Sequence, residues 1–161
     1  MRDFVAFAGA VVAFAGLACA HARVDRDAEK RALLQADADF DRDVAARGVE
    51  AWVAAFAAEG RMFPAGEAAI QGADSIREMM SALGDPRVKP GELRLRWKPL
   101  FAEVSDDATL GWTFGNAHGF GPRGEFRSKY VTIWRKQPGG AWKIVADLGN
   151  PGEALAGAGP D

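Results

Sequence analysis

From Leu93 onward the hydrophobic pattern of the chain changes from a helical period to a period of two. Leu93, Leu95 and Trp97 alternate with Arg94, Arg96 and Lys98. Leu110, Trp112 and Phe114 alternate with Gly111, Thr113 and Gly115. Phe126, Ser128, Tyr130, Thr132 and Trp134 share one face of a further strand that runs to Lys136. Successive side chains of a strand point to opposite faces, so this half of the chain predicts a sheet with one apolar face. Leu100 to Val104 continues the first strand, and Asp106-Asp107 is a turn. Pro138-Gly139-Gly140 closes a hairpin onto a last strand, Trp142 to Leu148. Gly119 to Gly124 forms a glycine-rich tip, and Gly149 to Asp161 reads as a loose tail.

Before Leu93 the period is that of a helix. Leu33, Leu34, Ala38, Phe40 and Val44 form an apolar stripe on a helix from Ala28 to Arg47, which Gly48 stops. Asp37, Asp39, Asp41, Arg42 and Asp43 fill much of the rest. A second helix, Val49 to Ala58, carries Trp52, Val53 and Phe56 on one side and ends at Gly60. Arg61–Phe63 and Ala68–Gln71 read as short strands. Asp74 or Ser75 caps a third helix that runs to Leu83, with Ile76, Met79, Met80 and Leu83 on its apolar face. Gly84 to Gly91 is a loop. Helices first and strands afterwards predict an α+β fold, with helices packed on one face of an antiparallel meander.

The first 22 residues stand apart. Phe4 to Leu17 is an apolar run, too short for a bilayer span of ~20 residues. Two Ala-x-Ala triplets follow, Ala18-Cys19-Ala20 and Ala20-His21-Ala22. This pattern predicts a secretory signal peptide cleaved after Ala20 or Ala22, and so a periplasmic or secreted protein. Gly16-Leu17-Ala18-Cys19 also resembles a bacterial lipobox, which would anchor the chain to a membrane through a lipid on Cys19. The folded domain then covers residues 28–153, followed by a flexible tail at 154–161.

Composition removes several functional classes. A chain of 161 residues is one domain. Its net charge of −2, and strand cations on the opposite parity from the aromatics, argue against nucleic-acid binding. A single cysteine excludes an intramolecular disulfide. Of the two histidines, His21 lies in or beside the signal region, which leaves no basis for a metal site. Gly115, Gly119, Gly121 and Gly124 do not sit between a strand and a helix, so no phosphate loop is indicated. No cofactor is expected.

Three stretches carry a resemblance: "RGVEAWVAAFAAEGRMFPAGEAAIQGADSIREMM", "AEVSDDATLGWTFGNAH" and "KYVTIWRKQPGGAWKIVADLGNPGE". With the order of elements, they resemble the nuclear transport factor 2-like superfamily and its SnoaL-like branch, over Ala28 to Glu153. The resemblance implies a cone-shaped, curled antiparallel sheet of cystatin-like fold with the N-terminal helices packed on its concave face. It also implies an apolar pocket for a small hydrophobic organic ligand, and a homodimer paired through the sheet. Members of this superfamily include isomerases, cyclases, dehydratases and non-catalytic binding or association modules, so fold does not assign activity. Many relatives carry a Gly-Asp step into the second helix and an Asp-Asp pair after it. Here those places read Gly48-Val49 and Glu59-Gly60, so no acidic role carries over from them.

Asp147 lies on the last strand among Ile144, Val145, Ala146 and Leu148. In cyclase-like relatives a late-strand aspartate projects into the pocket and moves protons, which the resemblance implies for Asp147. A carboxylate in an apolar cone has a raised pKa, suited to acid–base work. The simplest hairpin register instead puts Asp147 on the face of Arg127, Lys129 and Val131. Tyr130, the only tyrosine, could donate a hydrogen bond to a ligand oxygen, or be a strand aromatic satisfied locally. Asn116 could bind a ligand, and His118 could act as a base near neutral pH; both also read as strand-end residues. Trp52, Phe56 and Trp112 are expected to line the pocket. The leading expectation is an exported homodimeric binding domain. A cofactor-free isomerase or cyclase using Asp147 with Tyr130, Asn116 or His118 is the first alternative, and a non-catalytic association domain the second.

Overall fold

The first helix, α1 (Arg26–Arg47), begins where the Asp25 carboxylate accepts the Ala28 N–H at 3.0 Å. Asp27 and Glu29 in its first turn and Arg47 in its last oppose the helix dipole. Gly48, at φ 63, ends it, and the Gly48 N–H returns to the Val44 carbonyl at 2.8 Å. These features belong to a computed structural model, which describes residues 24–82, 94–121 and 124–152. The signal region with Cys19, the Gly84–Gly91 loop and the tail at 154–161 lie outside the described residues.

The second helix, α2 (Val49–Ala55), is shorter than its periodicity suggests. Phe56 already has extended backbone, and it opens strand β1 (Phe56–Phe63). There it pairs with Ile144 of the last strand, and this tertiary pairing overrides the helix preference of Ala57 and Ala58. Then come β2 (Ile70–Gln71), α3 (Ala73–Ala82), β3 (Leu95–Val104), β4 (Leu110–Gly121), β5 (Gly124–Lys136) and β6 (Trp142–Pro151). Several strands outrun the sequence reading. β4 takes in Gly119 to Gly121 of the expected tip, and β6 takes in Gly149 to Pro151 of the expected tail, with Ser128 opposite Pro151.

The six strands form one curled, unclosed sheet in the order β2-β1-β6-β5-β4-β3. β3 to β6 make the antiparallel meander that the alternation predicts. β1 joins β6 in parallel, so the whole sheet is mixed within an α+β fold.

On β4, Gly111, Thr113, Gly115, Ala117 and Gly119 share the face that meets α1. A Cβ on Gly111 would lie 2.5 Å from Leu33 Cδ2, so the absence of a side chain lets the helix settle on the sheet. Leu33, Val44, Ile76, Met80, Trp134 and Ile144 are fully buried in the core. Each such burial is worth about 1.5–3 kcal/mol, mostly offset by lost chain entropy. Phe40 of α1 sits between Trp52 and Trp97, with ring centroids 5.0 and 4.7 Å away.

Candidate functional site

The concave side of the sheet holds a cavity of about 470 Å³. Its aromatic wall comes from Phe40, Trp52 and Trp97, and its α3 side from Met79 and Met80. Phe126, Ser128, Tyr130 and Thr132 line it from alternate positions of β5, as period two requires. Asp147 enters it from β6.

Asp147 is there because of a register shift. β5 and β6 pair regularly from Ser128↔Pro151 to Ile133↔Ala146, and then Trp134 faces Ile144. Val145 is the extra residue of a β-bulge, and it rotates everything beyond it by one position. Asp147 therefore opposes Thr132, on the cavity face, rather than Val131 on the outer one. The unbulged register expected for this hairpin is corrected by that one residue.

The Thr132 hydroxyl donates to Asp147 Oδ1 at 2.7 Å. Among the described residues no donor reaches Oδ2 and no cation pairs with the group. Burial pushes the Asp147 carboxyl up to about 6, the Thr132 hydrogen bond opposes the rise, and the charge of Asp37 adds to it.

Asp37 stands behind this wall on α1, almost fully buried at 1 % exposure. Its Oδ1 accepts the Trp97 indole N–H at 2.8 Å, and its Oδ2 accepts the Tyr130 hydroxyl at 2.9 Å. The Thr113 hydroxyl on β4 also favours its charged form. Burial raises its pKa against the pull of these donors. Tyr130 is held above the ordinary phenol range, first by burial and then by the Asp37 charge. One turn further along α1, Asp41 accepts a forked hydrogen bond from Arg96 and the Trp97 backbone N–H at 2.9 Å. Asp41 thus fixes the strand that presents Trp97. Sequence reasoning placed both aspartates on the polar remainder of α1. Their signal was their spacing: Leu33, Asp37, Phe40, Asp41 and Val44 recur at i, i+4, i+7, i+8 and i+11, one helix face.

Trp52, Tyr130 and Asp147 meet in the cavity; Phe56, Trp112, Asn116 and His118 do not line it. The last three fail together, for one reason. On β4 it is the odd-numbered, small residues that face α1, so Trp112, Asn116 and His118 fall on the opposite parity, outward. His118 is exposed there, between Arg96 and Arg127 on the neighbouring strands. Phe56 packs partly buried against the core where β1 begins. Among the described residues no group of three or more His, Cys, Asp or Glu could hold a metal.

No protein-family model and no curated protein matches the sequence. Solved structures match the fold. A ketosteroid isomerase-like protein from Erwinia carotovora atroseptica superposes with TM-score 0.60 at 14 % identity, over 76 % of this chain and 95 % of its own. An NTF2-like protein of unknown function from Pseudomonas putida gives 0.58 at 15 %, over 83 % and 98 %. SalBIII, an epoxide hydrolase/cyclase-like enzyme in pyran ring formation, gives 0.54 at 18 %, over 73 % and 88 %. The chain has the NTF2-like, cystatin-like fold.

Proposed function

We propose that this chain binds a small hydrophobic organic molecule in the concave cavity, with Asp147 as its polar anchor. The observation that carries this is a carboxyl with an unpartnered oxygen set in a wall of Phe40, Trp52, Trp97 and Phe126. A largely apolar cavity with a few convergent polar groups is the usual form of a small-molecule site. The test is N-phenyl-1-naphthylamine, a neutral apolar fluorophore. It should brighten saturably on the native chain, and Ala117→Phe, which fills the cavity from β4, should abolish the signal. Unsaturable brightening, or brightening indifferent to Ala117→Phe, contradicts the reading.

A second reading is an isomerase or cyclase that works without a cofactor. It is favoured by the Asp147 carboxyl, whose pKa of about 6 suits proton exchange near neutral pH. In that reading Asp147→Asn abolishes turnover of a substrate that the variant still binds.

The proposal includes a homodimer. Phe101, 56 % exposed, and Leu148, 38 % exposed, lie on the outer sheet face with Phe114 and Val131 between them in register. A second copy covering this face would remove that apolar surface from water. It also includes export, supported by the leader-like first 22 residues, with a lipid on Cys19 as the anchored alternative.

A further inference from the structure

The hydrogen-bond inventory of the cavity is one-sided. Among the described lining residues, five side chains can donate a hydrogen bond: Trp52, Trp97, Ser128, Tyr130 and Thr132. Four of the five already spend that hydrogen on the protein. The Trp52 indole N–H points to Met62 Sδ at 3.4 Å, and the Trp97 indole N–H to Asp37 at 2.8 Å. The Tyr130 hydroxyl donates to Asp37 at 2.9 Å, and the Thr132 hydroxyl to Asp147 at 2.7 Å. Ser128 alone is left with a hydrogen to offer.

Acceptors remain in excess. Asp147 keeps its Oδ2, and toward a ligand the Tyr130 and Thr132 oxygens can only accept, because each has one hydrogen and has placed it. Asp37 enforces this for Tyr130. It sits behind the wall, buried, and while it is ionised it holds the phenolic hydrogen away from the ligand. Glu67 and Glu125 add two more carboxylates to the lining, both on exposed residues.

A ligand that brings only acceptors, such as a carboxylate or a ketone, finds the Ser128 hydroxyl as its one side-chain donor among the described lining residues and otherwise meets oxygen against oxygen. A ligand that brings donors satisfies the cavity, and one that brings a positive charge also meets the Asp147 carboxylate within an aromatic wall of Trp52, Trp97 and Phe40. We propose that the cavity selects hydrophobic ligands that donate hydrogen bonds, a protonated amine above all, seated against Asp147 beside the Tyr130 oxygen. This inference rests on the binding reading above and names the ligand class for that same site.

The test uses three probes with one apolar body and different heads: adamantylmethylamine, adamantylmethanol and adamantane carboxylate. Each is titrated calorimetrically into the full chain at about pH 8, where Asp147 is ionised. The amine should bind about tenfold tighter than the alcohol, and the carboxylate weakest of the three. In Asp147→Asn, checked for native circular dichroism, the amine-to-alcohol ratio should fall toward one. Equal binding of amine and alcohol to the native chain overturns the amine inference and leaves the binding reading standing. A ratio that survives in folded Asp147→Asn overturns it too, because the preference then arises elsewhere. Failure of all three probes to bind at millimolar concentration overturns the binding reading and this inference with it.

Discussion

Thr132 and Asp147 face each other across the β5–β6 pair, joined by a 2.7 Å hydrogen bond that exists only because Val145 is bulged out of register. Two carboxylates then flank the β5 wall, Asp147 on the cavity side and Asp37 behind Tyr130. One is open to a ligand and one is saturated with donors. That difference in environment separates their roles.

Asp147 should weaken the fold at neutral pH. Its folded pKa of about 6 lies above the ordinary value of 3.8, so the native state holds the extra proton between those two values. Stability therefore falls as pH rises from about 4 to about 6 and levels off above that. Asp147→Asn removes this cost and should stabilise the chain at pH 7 by on the order of 1–3 kcal/mol, with the gain vanishing below about pH 4. Urea unfolding of both proteins across that range measures it.

Tyr130→Phe takes one donor from a buried carboxylate. The loss should cost about 1–3 kcal/mol, because Asp37 cannot recover the bond from water. Urea midpoints compare the two proteins directly.

Gly115→Ala should be worse than its size suggests. The added Cβ would stand 2.2 Å from the Lys98 carbonyl oxygen and 2.7 Å from the Tyr130 hydroxyl. Neither backbone nor a pinned ring yields cheaply, so a loss of about 2 kcal/mol or more is expected. A matching Gly139→Ala, where nothing lies within 4 Å, should shift the thermal midpoint far less.

Light scattering of the chain should give twice its monomer mass at micromolar concentration. Phe101→Asp, on the outer face, should give the monomer with native circular dichroism. A native chain that is already monomeric contradicts the dimer.

The strands were legible because their alternation is plain. Leu95 and Trp97, and Phe126, Ser128, Tyr130 and Thr132, face the cavity as their parity predicts. What sequence could not show was the orientation of β4, where bulky Trp112 and Phe114 look like the buried set. The small residues Gly111, Gly115 and Gly119 are the inner ones because Leu33 of α1 and the rings of Tyr130 and Phe126 leave no room for a Cβ there, and that is a fact of packing between distant segments. The bulge at Val145 is likewise invisible in a run of apolar residues, yet it decides which face Asp147 serves. Asp37 was hidden by its type: an aspartate on a helix reads as a solvent residue until Trp97 and Tyr130 arrive from strands some 60 and 93 positions away.

The most direct measurement is a carbon-13 titration of the Asp147 side-chain carboxyl in the native chain. A midpoint near 6, moved downward by adamantylmethylamine, is the expected result for an acid held in an apolar cavity that takes up a cationic ligand. A midpoint at the ordinary 3.8, unmoved by the amine, would mean that Asp147 faces open water and that the cavity has no such anchor.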